Sequence, residues 1–385
     1  MSKAITTDRP FQLRETSSAQ EVSSAHIAWL DWIRFLAAFV VFLTHLRTAL
    51  FVDYGQLEAS QKNILTAALW FISRLGNEAV IVFFVLSGYF VAGKGIARLM
   101  NKSFDLGGYS RDRISRIYTP FIPALIVTAV CAILTHQQIS LSGFLLNLFG
   151  LQGILTTSFG ENAPLWSLAY EIWFYLLLGS LVGAFFNRSS SSTKRIVSAF
   201  IFVSCLIVFT ILSPTYLFCW IIGGFSYFLP KDRFHWFKLS LSLVLLALCT
   251  VGTQLLTASS SMSNSGITKY LPPIDTFQIF LACAVVVVML CLPSIPETKA
   301  GKAVEKAGTK LAAWSYTLYL VHYPILMVFK HSMPAKMTSI NLGSLGFTLY
   351  ATVVTLSICY GLYWLFERNT PAVREFLGGQ RRSRA

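Results

Sequence analysis

Long apolar runs constrain this chain more than any other feature of its sequence. A helix needs about 20 apolar residues to cross the hydrocarbon core of a bilayer. Runs of about that length recur between residues 29 and 366, separated by short polar or basic breaks. Charged residues make up only 12% of the chain, about half the share that soluble domains carry. We therefore predict an all-α membrane protein.

The apolar runs predict a polytopic bundle of about ten transmembrane helices. The candidate spans are 29 to 50, 76 to 93, 117 to 135, 165 to 186, 196 to 213, 215 to 229, 239 to 257, 275 to 293, 313 to 330 and 343 to 366. The apolar segment 143 to 156 is short and interrupted by glycine, so we assign it to a re-entrant or interfacial piece. The spans leave no room for a separate soluble domain, and 29–366 is expected to form one membrane domain.

Positive charge orients the predicted spans, because short cytoplasmic loops collect Lys and Arg. With both termini in the cytoplasm, 24 of the 31 Lys and Arg residues fall in cytoplasmic segments. The opposite segments hold Arg47, Lys62, Arg74, Lys269, Lys330 and Lys336. The formal charge of +14 therefore indicates topology rather than nucleic-acid binding. Residues 1–28 are then a polar cytoplasmic tail, and 367–385 a basic one.

Ionisable side chains are costly inside a bilayer, so each one within a span marks a candidate site. Arg34 and His45 lie eleven residues apart in the first span. On a helix they share one face and lie about 16 Å apart along the axis, so they could contact two parts of one long ligand. An imidazole titrates near neutral pH and could take a proton from an acceptor hydroxyl. The alternative is that His45 only packs helices together or lies at the membrane interface.

Residues suited to ligand binding also lie near the start of the third span and within the fourth span. Arg113 and Arg116 are three residues apart and hence neighbours on a helix surface, at the predicted cytoplasmic edge. Paired guanidinium groups suit a polyphosphate or a nucleotide, although arginines at this position are also ordinary topology signals. Glu171 lies about two turns inside the fourth span, where a carboxylate must pair, stay protonated or face a polar cavity. Structural pairing with a cation and a catalytic role both remain open.

The ninth span carries His322 just before Pro324. A proline frees a backbone carbonyl one turn back, so we expect this helix to be kinked and lined with polar groups. His322 is either part of a site or a hydrogen-bond partner between helices. In the second span, the adjacent Ser87 and Gly88 predict close helix packing rather than chemistry.

The remaining charged residues near span ends have simpler interpretations. Arg74 and Glu78, at positions i and i+4, are predicted to pair with each other. Asp275 and Glu367 are predicted to cap or anchor span ends. None of the seven cysteines shows a C-x-x-C or other metal-binding spacing, so we predict neither a metal site nor a disulfide scaffold.

Five segments that follow one another in a fixed order point to a particular family of membrane proteins. The first is Arg34 followed, after ten intervening residues, by His45. The other four are FFVLSGY (83–89), Arg113-x-x-Arg116, LWSLAYEIWFYL (165–176) and SYTLYLVHYP (315–324). In this order they resemble the integral-membrane acyltransferase family 3, of the O-acetyltransferase type, across nearly the whole chain. Many members carry a second acidic residue beside Glu171, where this chain has Tyr170. The fourth span therefore offers a single carboxylate.

The resemblance implies an enzyme of the bacterial inner membrane that uses acyl-CoA as co-substrate, acetyl-CoA being the commonest donor in the family. Its acceptor would be a carbohydrate, such as a surface polysaccharide or a lipid-linked oligosaccharide. Arg113 and Arg116 would hold the nucleotide phosphates, with the pantetheine arm passing Arg34. His45 would act as general base or form a transient acyl-imidazole, and Glu171 or His322 would orient it.

A transporter or flippase for a glycan or lipid-linked sugar is the alternative function. Buried charges would then serve proton coupling or substrate passage. Against this alternative, the sequence shows no inverted repeat and no matched pair of broken helices. The sequence does not indicate an oligomeric state.

Overall fold

The computed structural model describes residues 15–187, 191–230, 236–259, 272–293 and 295–379. Within these ranges the protein consists of fifteen α-helices and no β-strand. Their bounds are α1 Glu15–Leu50, α2 Ile64–Ile72, α3 Gly76–Ser87, α4 Lys94–Met100, α5 Leu106–Leu134, α6 Leu141–Leu148, α7 Leu165–Leu181, α8 Ser192–Ile211, α9 Pro214–Ser226, α10 Trp236–Ser259, α11 Ile274–Cys291, α12 Lys299–Ala313, α13 Ser315–Ser332, α14 Leu342–Leu365 and α15 Thr370–Leu377. The predicted all-α fold is confirmed.

Eight helical stretches in the described residues are long and apolar enough to cross a membrane, and the bent pair α12 and α13 makes a ninth. They are Ala28–Leu50, Ile64–Met100, Leu106–Leu134, Leu165–Phe186, Ser192–Ile211, Trp236–Thr257, Ile274–Cys291 and Leu342–Leu377. The predicted span 215 to 229 forms α9, whose 13 residues extend only about 20 Å. This protein is therefore a polytopic membrane protein, as the apolar runs predict.

Several predicted boundaries shift in the structure. Helix α5 begins at Leu106 instead of residue 117, because the Asp105 side chain accepts hydrogen bonds from the first-turn backbone amides of Gly107 and Gly108. The segment 143 to 156 forms most of the short helix α6 and a loop after it. Part of the predicted N-terminal tail, from Glu15 onward, continues α1, while residues 1–14 lie outside the described residues. The predicted C-terminal tail contains α15, and residues 380–385 also lie outside.

Helix α1 lies at the centre of the packing. It contacts α3, α12 and α13, and α13 in turn contacts α5 and α14. Leu30, Phe42 and Leu50 of α1 are fully buried in the core. The basic helix α12 is fixed to α1 by two hydrogen bonds, one of which joins Thr309 Oγ1 to Asp31 Oδ2 at 3.1 Å. Helix α1, which carries Arg34 and His45, is therefore packed directly against α13, which carries His322.

Two glycines bring α3 and α9 into backbone contact. A Cβ atom on Gly88 would lie 1.9 Å from the carbonyl oxygen of Trp220, and one on Gly223 would lie 2.1 Å from that of Val85. No side chain fits at either position, so Gly88 serves close helix packing as predicted. Residues Gly88–Gly93 continue α3 as a π-helical segment that leads into α4. Such segments often occur at functional sites.

Glu78 does not pair with Arg74 as predicted. Its side chain is buried and accepts hydrogen bonds from Thr253 Oγ1 at 2.5 Å and Gln254 Nε2 at 2.9 Å, both on α10. A buried carboxylate gains more from direct donors than from a partly exposed arginine, because burial removes its hydration. Asp275 anchors α11 to α9 by accepting a hydrogen bond from Thr215 Oγ1 at 2.7 Å.

Candidate active site

A cavity of about 320 Å³ lies among α1, α3, α4, α5, α7 and α13. Its walls carry five cationic side chains, namely Arg34, Lys94, Arg98, Arg113 and Arg116. Two carboxylates, those of Asp112 and Glu171, also line it. The cavity therefore carries an excess of cationic side chains, which favours an anionic ligand. Four of the six predicted site residues lie on its walls.

Arg34 faces the cavity from α1. One of its guanidinium nitrogens lies 3.6 Å from Asp31 Oδ1 one turn earlier, and its Cζ lies 5.2 Å from the centre of the Phe90 ring. The same ring lies 4.9 Å from Lys94 Nζ. Phe90 belongs to the π-helical segment, so the irregular end of α3 is what presents this ring and Lys94 to Arg34.

Arg113 and Arg116 point from adjacent turns of α5 into the cavity. Arg113 packs over the rings of Tyr109 and Tyr175, at 5.7 and 5.2 Å. Across the described ranges, neither arginine forms a salt bridge. The neighbouring Asp112 is engaged elsewhere, because Arg374 of α15 lies 2.5 Å from it. Both guanidinium groups are therefore free to bind a ligand.

Two carboxylates act on Arg116 without contacting it. Glu171 accepts a hydrogen bond from Tyr175, one turn later on α7, and interacts electrostatically with both Arg116 and Arg34. Glu367 also interacts electrostatically with Arg116. It caps the start of α13 by accepting hydrogen bonds from the backbone amide of Thr317 at 3.0 Å and its hydroxyl at 2.5 Å. Glu367 thus has the capping role predicted for it.

His45 and His322 pack against each other outside this cavity. Their ring centres lie 5.4 Å apart, and the edge of Tyr323 meets the His45 ring at 4.9 Å. His322 is fully buried. Its Nδ1 lies 2.8 Å from the carbonyl oxygen of Leu318, which can only accept, so Nδ1 carries the proton. The unprotonated Nε2 has no hydrogen-bond partner. We call His45 and His322 the histidine pair.

Pro324 does not interrupt α13, which runs continuously from Ser315 to Ser332. The carbonyl of Leu320 loses its helical donor because Pro324 has no N–H. Asn162 replaces that donor from the loop before α7, with its Nδ2 3.0 Å from the Leu320 oxygen. The same Nδ2 lies 3.0 Å from Thr128 Oγ1 on α5. The 48° bend in this part of the chain falls between α12 and α13, ahead of the proline.

The site thus has two parts that α1 connects, since Arg34 lines the cavity and His45 belongs to the histidine pair. Of the two candidates for orienting His45, the structure places His322 beside it and Glu171 in the cavity. The sequence reasoning did not identify Asn162. Pro324 was an available signal, because its freed carbonyl requires a donor from elsewhere. In the part of the chain that the structure describes, no group of three or more His, Cys, Asp or Glu could hold a metal ion.

A sequence model described as an acyltransferase domain, that of the acyltransferase 3 family, matches residues 27–364. The chain belongs to the acyltransferase 3 family. An uncharacterized protein of Haemophilus influenzae is 35% identical over 112 residues, which cover 25% of this chain and 45% of that protein. No solved structure matches this chain. The resemblance of the five segments to this family is confirmed, and the protein is a polytopic membrane protein that carries an acyltransferase domain.

The family's segments surround the two parts of the site. FFVLSGY ends α3 and begins the π-helical segment, and LWSLAYEIWFYL forms the first three turns of α7. Both contribute residues to the cavity, among them Ser87 and Glu171. SYTLYLVHYP begins α13 and contributes Tyr319 to the cavity and His322 to the histidine pair.

Proposed function

We propose that this acyltransferase moves an acyl group, acetyl in the first instance, from cytoplasmic acyl-CoA to a carbohydrate hydroxyl. The acceptor would be a surface polysaccharide or a lipid-linked oligosaccharide at the outer side of the bacterial inner membrane. The observation that supports this proposal best is that Arg113 and Arg116 face a cationic cavity with no salt bridge in the described residues. One helix then connects that cavity to an imidazole, through Arg34 and His45.

The donor's phosphates would bind at the cationic wall of the cavity. Guanidinium groups bind phosphate through two parallel hydrogen bonds, and Arg113 and Arg116 have both groups available. Lys94 and Arg98 add charge along the same wall. Because these side chains lie in a cavity between helices, their charges are screened less than those of fully exposed side chains. The pantetheine arm would extend past Arg34 toward the histidine pair.

His45 would act as the general base. The acceptor oxygen attacks the thioester carbonyl carbon, and the carbon–sulfur bond breaks. The proton that His45 takes from the hydroxyl passes to the departing thiolate, which leaves an ester and free CoA. Attack by His45 itself, through an acyl-imidazole, is the alternative route.

His322 would position His45 in this reaction. Its Nδ1 proton is committed to the Leu318 carbonyl, so its Nε2 can only accept a hydrogen bond. An N–H group of His45 can supply that bond after a small rotation of the ring, since the ring centres are 5.4 Å apart. The other nitrogen of His45 then keeps its lone pair for the acceptor hydroxyl. A buried carboxylate plays the corresponding part in serine proteases.

Incubation of membranes with labelled acetyl-CoA tests the proposal. An acyltransferase leaves an alkali-labile labelled ester on an envelope glycan, which mass spectrometry of glycans with and without the protein would identify. A transporter would leave no ester. Tagging of the 94–116 segment tests the orientation, which we expect to be cytoplasmic. An extracytoplasmic position would contradict the assignment of the cavity to a cytoplasmic donor.

A further inference from the structure

One wall of the cavity contains a hydrogen bond between two helices. Ser167 in the first turn of α7 and Tyr319 in the second turn of α13 both line the cavity, and their hydroxyl oxygens are 2.5 Å apart. Each hydroxyl also lies 3.2 Å from the carbonyl oxygen of Pro164. The ring of Phe83 packs against that of Tyr319 at 5.5 Å. These side chains form the wall of the cavity on the side of His322.

The histidine pair lies directly behind this wall. The ring centres of Tyr319 and His322 are 6.2 Å apart, and neither histidine lines the cavity. His322 Nε2 is buried without a hydrogen-bond partner. Native proteins seldom leave a buried polar atom unsatisfied without a functional reason. The ring of Tyr319 therefore lies between the cavity and His322, which in turn packs against the reacting imidazole of His45.

Both hydroxyl protons are used in hydrogen bonds in this arrangement. Each has a single proton. If Tyr319 donates to Ser167, then Ser167 donates to the Pro164 carbonyl. If Ser167 donates to Tyr319 instead, then Tyr319 donates to that carbonyl, and both protons are again used. Neither hydroxyl has a proton left for a ligand. The bond therefore holds α7 and α13 together and offers no hydrogen-bond donor to a ligand until it opens.

We propose that Ser167 and Tyr319 are two further functional residues of the acyl transfer, which form a latch between the donor cavity and the histidine pair. This inference rests on the proposed binding of acyl-CoA in the cavity. Breakage of the bond and rotation of Tyr319 admit the thioester to His322 and His45. The closed latch keeps the thioester from the imidazole that would otherwise direct water to it, with release of a carboxylic acid and free CoA.

Thiol labelling tests the barrier without any acyl transfer. His322→Cys is combined with Ser167→Ala or Tyr319→Ala, and the purified protein is treated with N-ethylmaleimide. Mass spectrometry of the α13 peptide then gives the labelling rate. We expect Cys at position 322 to react slowly behind an intact latch and at least about tenfold faster behind a broken one, as the loss of one hydrogen bond permits. Equal rates would overturn the proposal.

A matched probe distinguishes opening of the latch from general loosening. Ile325 is equally buried on α13 but does not line the cavity. Ile325→Cys should stay slow in every background, and a parallel rise at this position would overturn the proposal. Because these measurements need neither donor nor acceptor, they can fail while acyl transfer itself is confirmed, or succeed while it is not.

Hydrolysis of acetyl-CoA in the absence of an acceptor gives a second test. Ser167→Ala, Tyr319→Phe and the double variant remove the same bond, so each should raise the release of free CoA by about the same factor, up to roughly tenfold. Ser180→Ala is the control, since Ser180 is buried on the same helix but does not line the cavity. Unchanged release in all three variants, or additive increases, would contradict a shared latch.

Discussion

The cationic cavity and the histidine pair differ in the number of polar groups that they hold inside a membrane protein and in how those groups are partnered. In the cavity, aromatic rings pack against three of the five cationic side chains, namely Arg34, Lys94 and Arg113. At the histidine pair, the polar atoms are few, and the fully buried His322 has one nitrogen committed and one unsatisfied. The first arrangement suits attraction of a large anion. The second suits one directed proton transfer.

The strongest test of this division removes the base. His45→Ala should lower acyl transfer by about 10²- to 10⁴-fold, because it deletes the group that takes the acceptor proton. Binding of labelled acetyl-CoA should be unchanged, because His45 does not line the cavity. His331→Ala, at the exposed end of α13, is the control. Full transfer by His45→Ala would remove the histidine pair from the mechanism.

The converse test removes the paired arginines. Arg113→Ala with Arg116→Ala should raise the KM for acetyl-CoA by about 100-fold or more, since at least two charge-assisted hydrogen bonds are lost and each is worth about 1.5–3 kcal/mol. The value of kcat at saturating donor should fall much less. Arg111→Ala is the matched control, because Arg111 lies on the same helix outside the cavity and pairs with Asp105. An unchanged KM would show that the pair only orients the protein.

A smaller effect should distinguish His322 from both groups. His322→Ala should lower kcat by about tenfold without changing the donor KM, as expected for one lost hydrogen bond that acts through His45. His322→Gln places an oxygen acceptor near the position of Nε2 and should recover part of the rate. Equal losses in the Ala and Gln variants, or a raised donor KM, would argue that His322 only fills space.

The smallest change concerns stability. Asn162→Ala leaves the Leu320 carbonyl without a donor next to the histidine pair, at a cost of about 1–3 kcal/mol. The Tm in detergent should fall, and acyl transfer should fall only modestly. Asn369→Ala is the control, because Asn369 makes a similar side-chain bond to the Leu365 carbonyl at an exposed position. Equal Tm values for the two variants would count against a structural role for Asn162.

The sequence predicted the elements and residues that depend on local spacing. Apolar runs gave the helices, and three-residue spacing put Arg113 and Arg116 into one cavity. Pairings between distant segments could not be predicted. Glu78 takes its donors from residues 253 and 254, and Ser167 meets Tyr319 across 152 positions. Helical periodicity shows which face a residue occupies but not which helix packs against that face.

One local signal was available but was not used. The apolar run placed the start of the third span at residue 117, and Asp105 was not considered as a helix start signal. Asp105 satisfies the amides of Gly107 and Gly108 and starts α5 there. Arg113 and Arg116 consequently lie about two and three turns from the start of the helix, where helical backbone directs them into the cavity.

The bond between Asn162 and the carbonyl of Leu320 makes the effects of substitutions at positions 162 and 324 depend on each other. Pro324→Ala would restore the helical donor and make Asn162 dispensable, whereas loss of Asn162 is costly only while position 324 is a proline. Substitutions at the two positions should therefore be strongly non-additive, as a double-mutant cycle would show. Relatives that retain this proline should keep an amide at the position of Asn162, and relatives that lose it should vary there.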